Sequence, residues 1–412
     1  MNTVGTSSPS RLFTASCVAL IVTAMSFALR GAAAGSWAIE FHLTNEEIGW
    51  INSAAFWGFT LAMVLGGPLC DALGLGRIAG LAFIGHAAGI ALTILAWDFW
   101  SLFGGTLLFG IANGSVEAAC NPLIATLYPA DKTTKLNHFH VWFPGGIVIG
   151  GLTSYALGAV GCGWKVQFAS MALPLAIYGG LFIGRKFPRT ERVEQGVSTG
   201  EMFAACLRPG FLLMVGCMLL TAATELGPGQ WIPNILSHAG VSGILVLVWI
   251  TGLMAVGRQF AGPFVHRLAP TGMLLMSAIL SAAGLYLMSR ATGGMLFASA
   301  TIFAFGVCFF WPTMLGYVSE QFPKTGALGL AIMGGAGMLS AGYMVPVIGR
   351  LYDQGIRARL PTGVDLAAAS VDIQSRAGLE TLGKVAIVPV VLAVIFFGVF
   401  LSRRKTAPTG AA

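Results

Sequence analysis

Apolar residues run along this chain in long blocks broken by short polar interruptions, and the block lengths carry the first inference. Twelve stretches of about 17–25 residues are apolar enough to cross a bilayer as helices. They cover residues 13–34, 48–65, 78–97, 102–128, 139–160, 166–183, 211–236, 245–262, 272–288, 295–317, 326–348 and 385–401. The polar residues inside these blocks are few and spaced. In the fourth block Asn113, Glu117 and Asn121 stand four residues apart, which places them on one stripe of a helix. A carboxylate at hydrocarbon depth costs about 2.5–3.5 kcal/mol on insertion scales, so that stripe is expected to face protein or water.

Composition agrees with the block pattern. The chain is 56% hydrophobic and 9% charged, with 56 glycines and a mean hydropathy of +0.80, where a soluble chain carries charge on about a quarter of its residues. The expected fold class is an all-α membrane protein with twelve transmembrane helices in two six-helix halves. The first block is too long for a cleaved secretory core, and Arg30 interrupts it. With both termini in the cytoplasm, fifteen of the 23 basic residues fall on the inner side, the orientation that Lys and Arg in short loops favour. The net charge of +7 then reports topology and contact with anionic lipid, and no nucleic-acid partner is implied. The seven cysteines are scattered without metal-ligand spacing, as expected of packing residues. No catalytic, metal or cofactor constellation stands out.

The chain divides six plus six. Residues 1–184 read as an N-terminal bundle, 185–209 as a cytoplasmic linker with a short helix over 199–207, and 210–412 as a C-terminal bundle. Gly67-Pro68 is echoed by Gly262-Pro263, Tyr128-Pro129 by Phe322-Pro323, and Gly145-Gly146 by Gly334-Gly335. Offsets of about 190 residues at three places indicate duplicated halves, which puts a solute site at the seam between them.

The run Gly67-Pro68-Leu69-Cys70-Asp71-Ala72-Leu73-Gly74-Leu75-Gly76-Arg77 resembles the loop motif of the major facilitator superfamily between its second and third helices. The resemblance implies a cytoplasmic gate built on Gly67, Asp71 and Arg77, and Arg258 at the end of the eighth block joins that set. Residues 110–122, Lys135-Leu136-Asn137, Glu225 with Trp231, and Phe310-Trp311-Pro312-Thr313 are similar to the fucose and glucose/galactose proton symporters. That similarity implies a sugar symporter of the bacterial inner membrane in which Glu117 takes part in proton coupling. Those symporters carry an acid in their first helix, where this chain has Arg30.

Each polar residue has a functional reading and a plainer one. Glu117 and Arg30 form a proton switch if they pair and part, or an inert pair if they never separate. Arg30 can also hold a substrate carboxylate, or snorkel to the outer interface. Gly227-Pro228-Gly229 is expected to break or bend the seventh helix beside Glu225. Trp231, Trp311 and Trp142 are candidates for stacking on a solute, against belt or packing roles. His140 is a titratable candidate against a solvated interfacial residue. Asn113, Asn121, Asn137, Glu225, Trp231, Trp311, His140 and Trp142 form the expected solute set.

The function these features support is proton-coupled symport of a sugar or similar polyhydroxylated solute by a monomer, with sodium as the alternative to the proton. An organic-acid symporter or exchanger is the alternative that Arg30 motivates. A drug exporter or a transport-inactive sensor stands behind it.

Overall fold

The structure is a computed structural model and describes residues 8–129, 132–189, 199–260 and 262–406. All regular structure among them is helical. The first half holds α1 (Pro9–Glu40), α2 (Asn45–Leu73), α3 (Leu75–Ile94), α4 (Phe99–Leu127), α5 (Lys132–His140), α6 (Trp142–Ala159), α7 (Trp164–Ala169) and α8 (Ala172–Phe182). A short helix, α9 (Thr199–Cys206), lies in the connection. The second half holds α10 (Pro209–His238), α11 (Gly243–Gln259), α12 (Gly262–Met288), α13 (Met295–Val307), α14 (Phe310–Gln321), α15 (Gly326–Arg357), α16 (Val371–Val385) and α17 (Ile387–Thr406).

Ten segments among the described residues are long and apolar enough to cross a membrane, and α11 is a shorter apolar helix. The sixth expected crossing is divided between α7 and α8, which completes the count of twelve. Between the eleventh and twelfth blocks, residues 351–382 are largely helical: α15 runs on to Arg357 and α16 starts at Val371.

Helix starts follow local chemistry. Thr44 and Glu47 form a capping box at α2, and Asp98 with Ser101 forms one at α4, each satisfying backbone donors that the first turn leaves open. Gly74 adopts φ 89° in the turn between α2 and α3, a conformation that glycine takes without strain. The expected gate loop is therefore mostly helix, because α2 continues to Leu73. Arg77 is exposed on α3. Gly67, Asp71 and Asn137 have side-chain positions outside the described residues.

Small residues set the helix contacts. Gly110 and Gly114 of α4 lie against the backbone of Ala55 and Phe59 in α2. Gly146 and Gly150 of α6 lie against Ile21 and Met25 of α1, while Gly151 meets Val248 of α11. Close approach of this kind replaces the hydrophobic drive that lipid removes. One apolar core joins Leu20, Leu29, Phe109 and Tyr178 of the first half. A second joins Met218, Phe303, Met333 and Phe396 of the second half and also takes in Phe27, Phe56 and Phe59 from α1 and α2.

The halves meet through α1 with α10, α2 with α15, and α6 with α11. The bundle has two ends, a linker end with the start of α1 and residues 185–189 and 199–208, and a loop end with the α1–α2 turn. At the loop end Asp353 of α15 accepts hydrogen bonds from the Asn45 backbone (3.2 Å), the Asn45 side chain (2.8 Å) and the Glu46 backbone (2.8 Å). Deeper along the same seam, Ser53 donates to the Gly342 carbonyl and Thr60 to that of Gly335, the latter at 3.2 Å.

Candidate functional site

A narrow cavity of about 50 Å³, continuous with solvent, opens where α1, α6, α10, α11 and α13 converge. Most of its wall is apolar: Phe27, Phe143, Ile147, Ile250, Met254 and Phe303 are representative. Four polar side chains interrupt it, Glu225 and Gln230 of α10 and Thr251 and Arg258 of α11.

Arg258 is placed by a proline in another helix. Pro312 has no N–H to return to the carbonyl four residues earlier, which is Cys308. The tenth crossing accordingly divides there into α13 and α14. Arg258 Nε donates to that freed Cys308 carbonyl at 2.9 Å, and its Nη2 lies 3.2 Å from Glu225 Oε1. The pair is largely shielded, with the Glu225 side chain 10% and the Arg258 side chain 22% exposed. The second carboxylate oxygen, Glu225 Oε2, is buried without a hydrogen-bond partner.

The stripe on α4 divides between two environments. Asn113 is fully buried inside the first half. Its Oδ1 lies 2.9 Å from His86 Nε2, its amide donates to Ser26, and His86 Nδ1 is 2.9 Å from the Tyr178 hydroxyl. These bonds tie α1, α3, α4 and α8 together and keep Asn113 off the cavity wall. Glu117, one turn on, is 8% exposed and hydrogen-bonded to Asn121. Asn121 in turn lies 3.1 Å from His140 Nε2, and Arg258 of the opposite half is the charged group acting on His140. Polar groups thus run from Glu117 through Asn121 to His140.

Arg30 and Glu117 are not brought together. The Arg30 guanidinium is 2% exposed, and its three nitrogens have no hydrogen-bond partner. It lies over the Phe27 ring at 4.8 Å and near that of Phe56 at 5.9 Å. Trp231 is packed away as well: its Nε1 donates to the Val345 carbonyl at 2.9 Å, and its ring meets Tyr352 edge-on. Trp311 lies against Gly337 of α15, so neither indole faces the cavity. Trp142 is partly exposed at the start of α6. The expected break of the seventh helix is absent: α10 continues through Pro228 and Pro233. Its proline turn is held by packing, with Gly227 seated against Met344 and Ile348 of α15.

Phe27, Phe143, Thr251 and Met254 were not singled out in the sequence, because apolar wall residues carry the same pattern as core residues. A local signal did exist for the ion pair. Glu225 and Arg258 are the lone charged residues inside the seventh and eighth apolar blocks.

The sequence profile of the Major Facilitator Superfamily matches residues 15–342. The chain belongs to this superfamily. As a member it is a multi-pass membrane transporter and not an enzyme. It is 27% identical over 146 residues to a D-xylose transporter of Levilactobacillus brevis, covering 35% of this chain and 31% of that protein. It is 28% identical over 271 residues to a 3-(3-hydroxy-phenyl)propionate transporter of Escherichia coli (strain K12), covering 60% of this chain and 62% of that one. The matches thus span about a third to three fifths of these curated relatives. Among solved structures, a point mutant of the nucleoside transporter NupG superposes with a TM-score of 0.78 at 14% identity, over 95% of this chain and 99% of that one. That likeness concerns the fold.

Proposed function

We propose that this chain is a proton-coupled symporter that moves a small organic solute through the bacterial inner membrane by alternating access. The observation that carries the reading is the cavity at the seam of the halves, with one ion pair set in an apolar wall. A site shared by two repeats is reached from alternate sides when the repeats rock about it. The asymmetry of Lys and Arg supports cytoplasmic termini, and one chain contains the whole cavity, so a monomer suffices.

Glu117 is the proton-binding carboxylate in this reading, and the hydrogen-bonded Asn121 and His140 extend its reach toward the seam. With a neutral solute, one proton moved through 100 mV supplies about 2.3 kcal/mol, close to fifty-fold accumulation. The D-xylose relative supports a sugar or similar polyhydroxylated solute. The relative named for a hydroxyphenylpropionate, with the wider match, supports an organic acid. The test is uptake into proteoliposomes of labelled sugars and organic acids under an imposed pH gradient. Accumulation that Glu117→Gln abolishes, while solute exchange persists, is expected. Uptake that follows a sodium gradient and ignores pH overturns the proton reading.

A further inference from the structure

We propose that the solute is an organic acid with an apolar body and a hydroxyl group, whose carboxylate is held by Arg258 beside Glu225. The inference rests on the transport reading above and narrows its solute class.

Three features of the cavity support it. The first is the scarcity of polar wall groups. A neutral sugar buries several hydroxyls, each of which costs about 1–3 kcal/mol if left unpaired, whereas this wall is built mainly of phenylalanine, isoleucine, leucine and methionine. A ring or alkyl body fits such a surface. The second is the half-used ion pair. The hydrogen bonds recorded for the Arg258 guanidinium engage Nε and Nη2, which leaves Nη1 to donate to a solute carboxylate. Glu225 Oε2 is a buried acceptor with no partner, placed to accept from a solute hydroxyl. One donor on a cation and one acceptor on an anion, side by side, match a hydroxy acid. The third is Arg30, a second buried guanidinium without a partner, stacked on the Phe27 ring that itself lines the cavity. A positive centre behind the aromatic wall favours an anion in front of it.

The charged and titratable groups around this seat are Glu225 of α10, the Cys308 thiol at the end of α13, and His140 of α5 across the seam. Arg30 of α1 stands behind Phe27. A monoanionic solute that crosses with one proton adds no net charge to the carrier. Uptake is then electroneutral: a pH gradient drives it, and a membrane potential alone does not. Proton symport of a neutral sugar moves one positive charge and responds to both.

The experiment uses the full chain in liposomes with 3-phenylpropionate, 3-(3-hydroxyphenyl)propionate, the matching amide of the latter, and D-xylose as probes. Uptake is driven either by a pH gradient or by a valinomycin potassium potential. Binding is read separately by thermal stabilisation in detergent. Both acids are expected to stabilise the protein and to enter under the pH gradient alone, the hydroxylated one binding more tightly. The amide and D-xylose are expected to do neither. Arg258→Gln should lower acid affinity at least thirty-fold, with Arg258→Lys intermediate, which separates loss of the seat from loss of folding. Potential-driven uptake of D-xylose overturns the inference and leaves the symport reading intact. Acid binding that survives Arg258→Gln overturns it as well. Acid binding lost in Arg258→Gln, with no proton-driven flux of any probe, supports the seat and refutes the symport reading.

Discussion

Asp353→Ala is the perturbation that most directly tests how the halves are held. The Asp353 carboxylate accepts three hydrogen bonds at the first turn of α2, two from backbone N–H groups and one from the Asn45 amide. Those backbone donors have no intrahelical partner, and the helix dipole places partial positive charge there. Hydrogen bonds to a charged group contribute about 1.5–3 kcal/mol each when well buried. A carboxylate at a helix N-terminus adds about 0.3–1 kcal/mol. Asp353 is half-buried, and in the parted state water replaces all three bonds. A net closure energy of about 2–3 kcal/mol is therefore reasonable, a shift of about 30- to 150-fold in the ratio of loop-end-closed to loop-end-open carriers. Because the bonds join the two halves, their loss acts on that ratio and leaves each half intact.

Spin labels at Ile39→Cys and Arg357→Cys, which flank the latch on opposite halves, read the ratio by pulsed electron resonance in nanodiscs. The wild type is expected to show one short distance. Asp353→Ala should add a long-distance population, and Asp353→Asn, which keeps an acceptor but loses the charge, a smaller one. An unchanged short distance in Asp353→Ala, with normal solute exchange, refutes the view that this carboxylate closes the loop end.

Two further variants probe the scaffold. Gly110→Val should lower the melting temperature in detergent, since its Cβ meets the Ala55 backbone and overpacking of this kind costs about 1–3 kcal/mol or more; an unshifted melt would mean α2 and α4 do not touch so closely. His86→Leu leaves the Tyr178 hydroxyl and Asn113 Oδ1 short of partners, at about 1–3 kcal/mol for each orphaned group. It should reduce thermal stability while keeping solute affinity within twofold, and loss of binding at full stability would place that network in the solute site.

The crossings were legible because a bilayer imposes one length on every helix, so apolar blocks and helices coincide with little tertiary context needed. Helix breaks were less legible. Pro312 and Pro228 present the same local chemistry, yet the chain divides at the first and continues through the second. The difference lies in distant partners: Arg258 takes the Cys308 carbonyl, while Met344 and Ile348 brace Gly227. The polar residues behave likewise. Asn113 and Glu117 share a helical stripe, but His86 and Tyr178 draw the first into the bundle interior while Asn121 and His140 accompany the second. Spacing along one helix names the face and says nothing of what another helix brings to it. Arg258 read as a gate residue by its position in the chain, whereas its bonds place it at the cavity wall.

The seam also constrains how the carrier can move. Contacts between α2 and α15 extend from Asn45 with Asp353 to Thr60 with Gly335, a stretch of about 22 Å at 1.5 Å rise per residue. That is most of the hydrocarbon thickness, about 30 Å. A seal this long does not open by turning one side chain, because it includes glycines set against backbone, Gly49 against Pro346 and Gly349 against Asn45, which have no rotamer to change. On the alternating-access reading proposed above, it opens by rotation of one half against the other, which parts the Asp353 latch at the loop end. The ion pair of Glu225 and Arg258 joins α10 and α11 within one half, so the rotation carries it along unbroken. A solute held on the proposed seat would meet the first half through Phe27, Phe143 and Ile147, and the bond that the sliding must exchange there is the one from Gln230 Nε2 to the Phe27 carbonyl at 3.4 Å. On that reading, a mostly apolar contact with one half and a polar anchor on the other keep the anchor's bonds to the solute while the cavity changes its exposure.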